Sequence, residues 1–527
     1  MMLKKLSLYY RTVKYLKWKQ IGYRLFYMLR GRYRKFTGFA YKKFAPANRH
    51  DLELDPSIPS YSSYLGSNTF KFLNQEKKFK DEIDWNYDGY GKLWTYNLNY
   101  FDYLQQSGME RETGLSLIRD YINHWESLKD GLEPYPISLR GINWIKFLTR
   151  HEIRDKEIDQ NLRAQYHILQ DHPEYHLMGN HLLENGCSLL FGAYYFRDAA
   201  LLQQAVNILL DELNEQVLED GGHFERSPMY HQILLYRLLD CYNLVSQNTW
   251  PADTCKSHLL HALQKMLGWL RKMTFSDGTI PLLNDTSPGI TPNSQALLEY
   301  ADRLGLQGTD QPIKECGYRT WQRGQTELVL DVGPVGPDYI PGHAHSDTFS
   351  FVLYHKGRPV IVDPGTSTYE KNDRRQMERS TRYHNTVMVH EREQSEVWGG
   401  FRVGRRAKIT ELEEKPGTLR AVHDGYARWG ISHERTWKFE EDKLMVHDRL
   451  KGAKSSDKAA AFFHFDPDVK VTQKNGYLEA GNLKIRFAGA NDIQLESYEF
   501  CMGFNKRTPA QKISIRFSNQ LETTIEI

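Results

Sequence analysis

The feature that most constrains this chain is a change of hydrophobic period at Gly317. Between residue 91 and that glycine, apolar residues recur three and four apart. Over residues 257–273, Leu259, Leu260, Leu263, Met266, Leu267 and Leu270 form one inward stripe. Residues 113–129, 199–218, 231–246 and 293–304 carry the same spacing. Five or more helices with no strand between them make an all-α layer. After Gly317, residues 327–332, 348–354, 359–362, 385–389, 432–439 and 443–449 alternate apolar with polar or are β-branched. Short breaks such as Lys474-Asn475-Gly476 separate several strands, the pattern of a large antiparallel β-sandwich. The fold class is α+β multidomain, with a helical domain over 91–316 and a sandwich over 317–527. Residues 1–90 form an N-terminal extension: basic-aromatic helix to about residue 45, then a connector rich in Pro, Ser, Asn and Asp.

At 527 residues the chain exceeds one ordinary core. A net charge of +3 provides no field for nucleic acid, so none is expected as a partner. The five cysteines are scattered, odd in number and never in CxxC spacing, which excludes a disulfide framework and a cysteine zinc site. Residues 1–45 intersperse Lys and Arg with Tyr, Trp and Phe, and no apolar core of signal-peptide length follows Met1. No run elsewhere is long enough to span a bilayer, so a cytoplasmic protein is expected. For residues 1–45, an amphipathic helix docked on the main body is the first reading and peripheral contact with a membrane surface the second. Oligomeric state leaves no mark in the sequence.

Potential site chemistry is densest over residues 341–387, which hold His343, His345, Asp347, Asp363 and His384. A sheet placing His345, Asp363 and His384 on neighbouring strands brings together three N/O ligands of the kind a divalent metal prefers. The His343-Ala344-His345 pair also occurs in barrel-type metal hydrolases, but residues 318–527 lack the strand–helix alternation a barrel needs. Arg374, Arg375, Arg379 and Arg382 form either a solvated loop or a docking surface for carboxylate or sulfate groups. In the helical half, Asn180, His181 and Glu184 share one helix face, although Asn180 also suits a helix cap. Tyr230 begins a helix after Gly221-Gly222. It is either a packing residue or, beside Arg226, a usable acid or base with its phenolate favoured. Long loops over 134–144, 172–180, 220–229 and 277–288 carry the polar and aromatic groups from which a site is built.

Several pieces together resemble the heparinase II/III family of polysaccharide lyases. They are Trp94 through Tyr103, Ile137-Ser138-Leu139-Arg140-Gly141-Ile142-Asn143-Trp144, Asn180-His181-Leu182-Leu183-Glu184-Asn185, and Asp220-Gly221-Gly222 through Tyr230. Gly342 through Asp347, Val362-Asp363-Pro364-Gly365 and Tyr383-His384-Asn385 complete the set. The likeness covers roughly residues 90–520 and implies an (α/α) toroid followed by the sandwich. It further implies that Asn180 and His181 neutralise a uronate carboxylate, that Tyr230 protonates the departing glycosidic oxygen, and that His343 is the base. His345, Asp363 and His384 match the ligands of a largely structural divalent ion, zinc rather than calcium on the His-rich ligation. Glu184, Arg140, Asn143, Trp144, Arg226, Arg374 and Arg379 are the candidates for holding neighbouring acidic sugars. The expected activity is β-elimination on an anionic, uronate-containing polysaccharide. Two alternatives stand beside it: a glycoside hydrolase using Glu184, Asp277 or Asp285 as its carboxylate pair, and a non-catalytic glycan-binding accessory protein of polysaccharide biosynthesis.

Overall fold

The computed structural model describes residues 2–250, 253–454 and 458–527. Two N-terminal helices, α1 (Met2–Val13) and α2 (Trp18–Thr37), lie across the surface of the main body. The helical domain follows as α3 (Lys92–Tyr100), α4 (Arg111–Asn123), α5 (Pro134–Arg150), α6 (Lys156–Asp171), α7 (Gly179–Phe196), α8 (Ala199–Gln216), α9 (Pro228–Gln247), α10 (Asp253–Met273) and α11 (Ser294–Arg303). Helices pack on next and next-but-one neighbours, α7 against α8, α5 and α9, around one continuous apolar core reaching from Leu52 to Tyr339. The first strand of the sandwich begins at Tyr318.

All strand pairings in the sandwich are antiparallel. An eight-stranded sheet faces two four-stranded sheets across a core that includes Phe351, Trp437, Phe463 and Ile515. A short helix, α12 (Asp373–Glu378), interrupts the strands. The two halves meet where Trp269, Met273, Phe275 and Leu283 pack on Tyr318, Val329, Val352 and Tyr354. Phe275 stacks on Tyr354 with centroids 3.8 Å apart. This apolar contact fixes the loops of one domain against those of the other.

Two departures from the sequence reading lie in the helical half and in the connector. Residues 134–144 are not a loop but the first half of α5, with proline at its opening positions. Pro134 and Pro136 start this helix rather than break it, because the first-turn N–H groups have no intrahelical partner to lose. The connector before residue 90 holds a two-stranded hairpin, Thr69–Phe72 with Gln75–Lys78. Its turn places Leu73 and Asn74 at φ 53° and 60°. That is the geometry of a type I′ turn without the Asn-Gly pair that usually announces one.

Candidate active site

Three loops converge where the domains meet, and hydrogen bonds tie them together. Ser227 caps α9 by accepting from the Tyr230 N–H, while its hydroxyl donates to the Asp285 carbonyl at 2.6 Å. Asn284 donates to the Arg226 carbonyl and accepts from the His345 N–H. The Asp285 N–H donates to the His343 carbonyl at 3.1 Å. Arg226 and Asn284 both have left-handed backbone, with φ of 58° and 54°, strain that a rigid surround must hold in place.

The N-terminus of α7 brings in Asn180. Gly179 before it has φ +61°, and a Cβ there would lie 2.8 Å from the Glu225 carboxylate, so glycine is required on both counts. Asn180 is not a cap. Its backbone N–H and its Nδ2 both donate to Glu225, at 3.0 Å and 2.9 Å. Glu225 also faces His343, with Oε2 3.3 Å from Nε2. The other side of that ring, Nδ1, lies 2.8 Å from Asp285 Oδ2. Tyr230 stacks on His343 with centroids 3.8 Å apart, and the hydroxyl of Tyr369 lies 3.4 Å from its own.

Asn180, Tyr230 and His343 therefore form one cluster around Glu225. His181 sits beside it: its Nδ1 is 3.1 Å from Glu174, and its ring lies 4.5 Å from that of Tyr135. His181, Tyr135, Tyr230, His343 and Tyr369 are all half-buried, so phenol and imidazole faces line the opening.

Electrostatics divides these groups. Burial, then Tyr369, Asp285 and Glu225, push Tyr230 well above the usual phenol range, so at neutral pH it is a phenol that can donate a proton. Arg226 is not its neighbour, since that guanidinium donates to the Cys316 carbonyl at 2.8 Å. The expected Arg226-favoured phenolate is thus corrected. Burial opposes charge on Asp285, but Arg375, then His343 and His345, outweigh it and hold the carboxyl well below its ordinary range. Burial disfavours the imidazolium of His181, yet the Glu174 carboxylate, followed by Glu225 and Glu184, raises its pKa.

The candidates for holding neighbouring sugars fare differently. Trp144 and Arg140 are wholly buried, Arg140 against Gln165 and the Asn99 carbonyl. Asn143 donates to the Tyr100 carbonyl and to Asp102. Glu184 is paired with Arg237 inside the helical core. Arg374 is bound by Glu378, Glu499 and Tyr383, and Arg379 donates to the carbonyls of Ala344 and Gly400. Buried charge must be paired or hydrogen-bonded, and each of the charged groups here is bonded to other parts of the protein, while Trp144 is packed among aromatic rings. None of the seven, Arg226 included, faces the opening. The hydrolase pair dissolves for the same reason. Glu184 is held by Arg237 and Asp285 by Arg375 and two imidazoles, and Asp277 accepts from the N–H and hydroxyl of Thr279 on an exposed turn.

His345, Asp363 and His384 lie in loops rather than on neighbouring strands. The two imidazole rings are 5.2 Å apart, but His345 Nε2 faces Asp285 and His384 Nδ1 faces Asp363, both at 2.8 Å. Asp363 thus orients an imidazole. His345 Nδ1, His384 Nε2 and Asp347 Oδ2 remain buried without a partner. Those atoms fit zinc in kind, although among the described residues no group of three His, Cys, Asp or Glu is set to hold a metal ion. Sequence reasoning assigned no role to Glu225, Glu174, Tyr135 or Tyr369. Only the position of Glu225 within the Tyr230 motif hinted at one.

The heparinase II/III N-terminal family model matches residues 142–303, and the heparinase II/III-like C-terminal model matches residues 308–527. Together these take in well over half of the chain. The chain belongs to the heparinase II/III family. Among relatives of this family, a heparin-sulfate lyase of Bacteroides stercoris is 21% identical over 399 residues, covering 67% of this chain and 56% of that protein. The FtsZ-localized protein C of Caulobacter vibrioides is 26% identical over 297 residues, covering 52% and 50%. The chain thus spans about half the length of the curated relatives it matches. The crystal structure of heparinase III shares the fold with a TM-score of 0.68 at 18% identity, over 85% of this chain and 80% of that one.

Proposed function

We propose that this heparinase II/III family protein is a polysaccharide lyase that cleaves a uronate-containing anionic polysaccharide by β-elimination. The observation that carries the proposal is the stack of Tyr230 on His343 beside Asn180, with one carboxylate, Glu225, touching both the imidazole and the amide. The heparin-sulfate lyase relative supports the substrate class.

Elimination removes the C5 proton, α to a carboxylate, and expels the glycosidic oxygen at C4. The weakly acidic C–H needs preorganised donors for the developing enolate, and Asn180 with the imidazolium of His181 supplies them. Asp285 on Nδ1 fixes the tautomer that leaves the Nε2 lone pair for the proton and then stabilises the imidazolium. In the free protein His343 Nε2 faces Glu225 at 3.3 Å, so a sugar must enter between them before that nitrogen takes the C5 proton. Tyr230, kept neutral, delivers its proton to the leaving oxygen. A buried divalent ion remains part of the proposal through the unpartnered His345, His384 and Asp347 atoms. No chemical step passes through it.

The test is incubation with heparosan, heparan sulfate, hyaluronan and alginate, followed by ultraviolet absorbance of an unsaturated uronate. Absence of that product from every polymer sinks the lyase reading. A second reading is a non-catalytic glycan-binding protein on this frame. It predicts polymer binding without turnover.

A further inference from the structure

Helix α2 is amphipathic in the reverse of the usual sense. Gln20, Tyr23, Tyr27, Arg30 and Arg34 fall on its inner side and fasten it to the body. Gln20 donates to the Leu177 carbonyl and Tyr27 to the Pro173 carbonyl, and both arginines pair with Asp171. Tyr23 stacks on Tyr175 at 4.6 Å. The opposite side carries Trp18, Ile21, Leu25, Met28, Leu29 and Phe36, at helical spacing. All six are exposed, Trp18 at 85% and Phe36 at 89%. Among the described residues, thirteen of the nineteen exposed large hydrophobics lie before residue 40. Scattered apolar side chains need no explanation, but a contiguous stripe marks an interaction surface.

Charge identifies the partner. Residues 1–50 hold fourteen Lys and Arg and no Asp or Glu, so the remaining chain carries 55 Lys and Arg against 66 Asp and Glu, a net charge of −11. The near-neutral total therefore hides a basic end on an acidic body. A second copy docked face to face through α2 would set the exposed Arg32 and Lys35, which meet no carboxylate among the described residues, against their own images. An anionic polysaccharide satisfies the cations but leaves the apolar stripe in water. An anionic bilayer meets both demands, with apolar and aromatic side chains seated at the headgroup boundary and cations among the lipid phosphates. Among the described residues, no helix is long and apolar enough to cross a membrane, which suits a helix lying in the surface plane.

We propose that α1 and α2 form a peripheral dock for an anionic lipid surface. α1 is anchored on the sandwich, where Arg11 pairs with Glu396 and Tyr9 packs edge-on against Trp398. α2 is anchored on the segment that leads into Asn180. The dock thus spans both domains. This proposal does not depend on the lyase reading, and neither outcome below bears on it.

The experiment is co-sedimentation of the full-length protein with phosphatidylcholine vesicles, with and without phosphatidylglycerol, at low and high salt. Binding to the anionic vesicles alone is expected, weakening as salt rises. It should fall by about tenfold or more in Arg32→Glu with Lys35→Glu. It should be lost when Trp18→Ser, Leu25→Ser, Leu29→Ser and Phe36→Ser are combined. Those side chains face outward, so circular dichroism and melting should match the parent. No sedimentation with anionic vesicles overturns the proposal. So does equal binding by the serine variant, and so does a concentration-dependent dimer that the serine variant dissolves without any vesicle binding.

Discussion

The phenol of Tyr230 lies against the imidazole of His343 with 28° between the ring planes. One residue opens a helix of the first domain and the other sits in a loop of the sandwich, so the cluster exists only where the two domains meet. Among the described residues, the hydroxyl of Tyr230 has one side-chain hydrogen-bond partner, the Tyr369 hydroxyl at 3.4 Å.

Tyr230→Phe separates chemistry from folding. Removing one long hydrogen bond should change stability by no more than about 1 kcal/mol. Losing the proton donor should lower kcat by about 10²- to 10⁴-fold. Thermal melting and polymer turnover measured on the same preparation check both; a variant with full turnover removes Tyr230 from the mechanism.

Asp285 receives a bidentate contact from buried Arg375, at 2.5 and 2.7 Å, in addition to its two imidazoles. Asp285→Asn keeps the shape but gives up the charge that orients His343. Turnover should drop by about 10²–10⁴, with KM little changed. Arg375→Ala leaves that carboxylate uncompensated and should destabilise the fold by about 3–5 kcal/mol. Chemical denaturation of the two variants distinguishes a positioning role from a purely structural one.

The raised pKa of His181 has a defined sign. Its folded value lies above the ordinary value of about 6.5 because Glu174, outweighing burial, favours the imidazolium. The stabilisation by this pair is complete below the unfolded pKa and disappears as pH rises through the folded one. Uronate turnover should decline on the same alkaline limb. In His181→Gln that limb should vanish from the pH–rate profile; an unchanged limb assigns it to another group.

Trp144 is wholly buried among Phe101 and Tyr121. Trp144→Ala should cost about 3–5 kcal/mol of stability and leave the KM of whatever protein remains folded unaltered. A selective rise in KM at unchanged stability would return Trp144 to the sugar-binding surface.

The unpartnered His345, His384 and Asp347 atoms lead us to expect one zinc per chain in elemental analysis of purified protein, lost in His345→Ala. Metal-free protein with full stability removes the ion from the proposal.

Periodicity by itself determined the helical frame, the sandwich and the point where one gives way to the other. Both patterns are local and record which face of a segment is apolar. The order of motifs also singled out Asn180, Tyr230 and His343 as candidates. Only the tertiary structure decided which charges face the opening. The partners come from distant segments: Glu225 lies 45 residues from Asn180, and Asp285 lies 90 residues from Arg375. An arginine looks the same in the sequence whether its guanidinium meets a sugar acid or, as in Arg374 and Arg379, a neighbouring carboxylate or carbonyl. The outward stripe of α2 shows the same limit, because a helical pattern reveals an apolar face without revealing whether protein core or solvent lies against it.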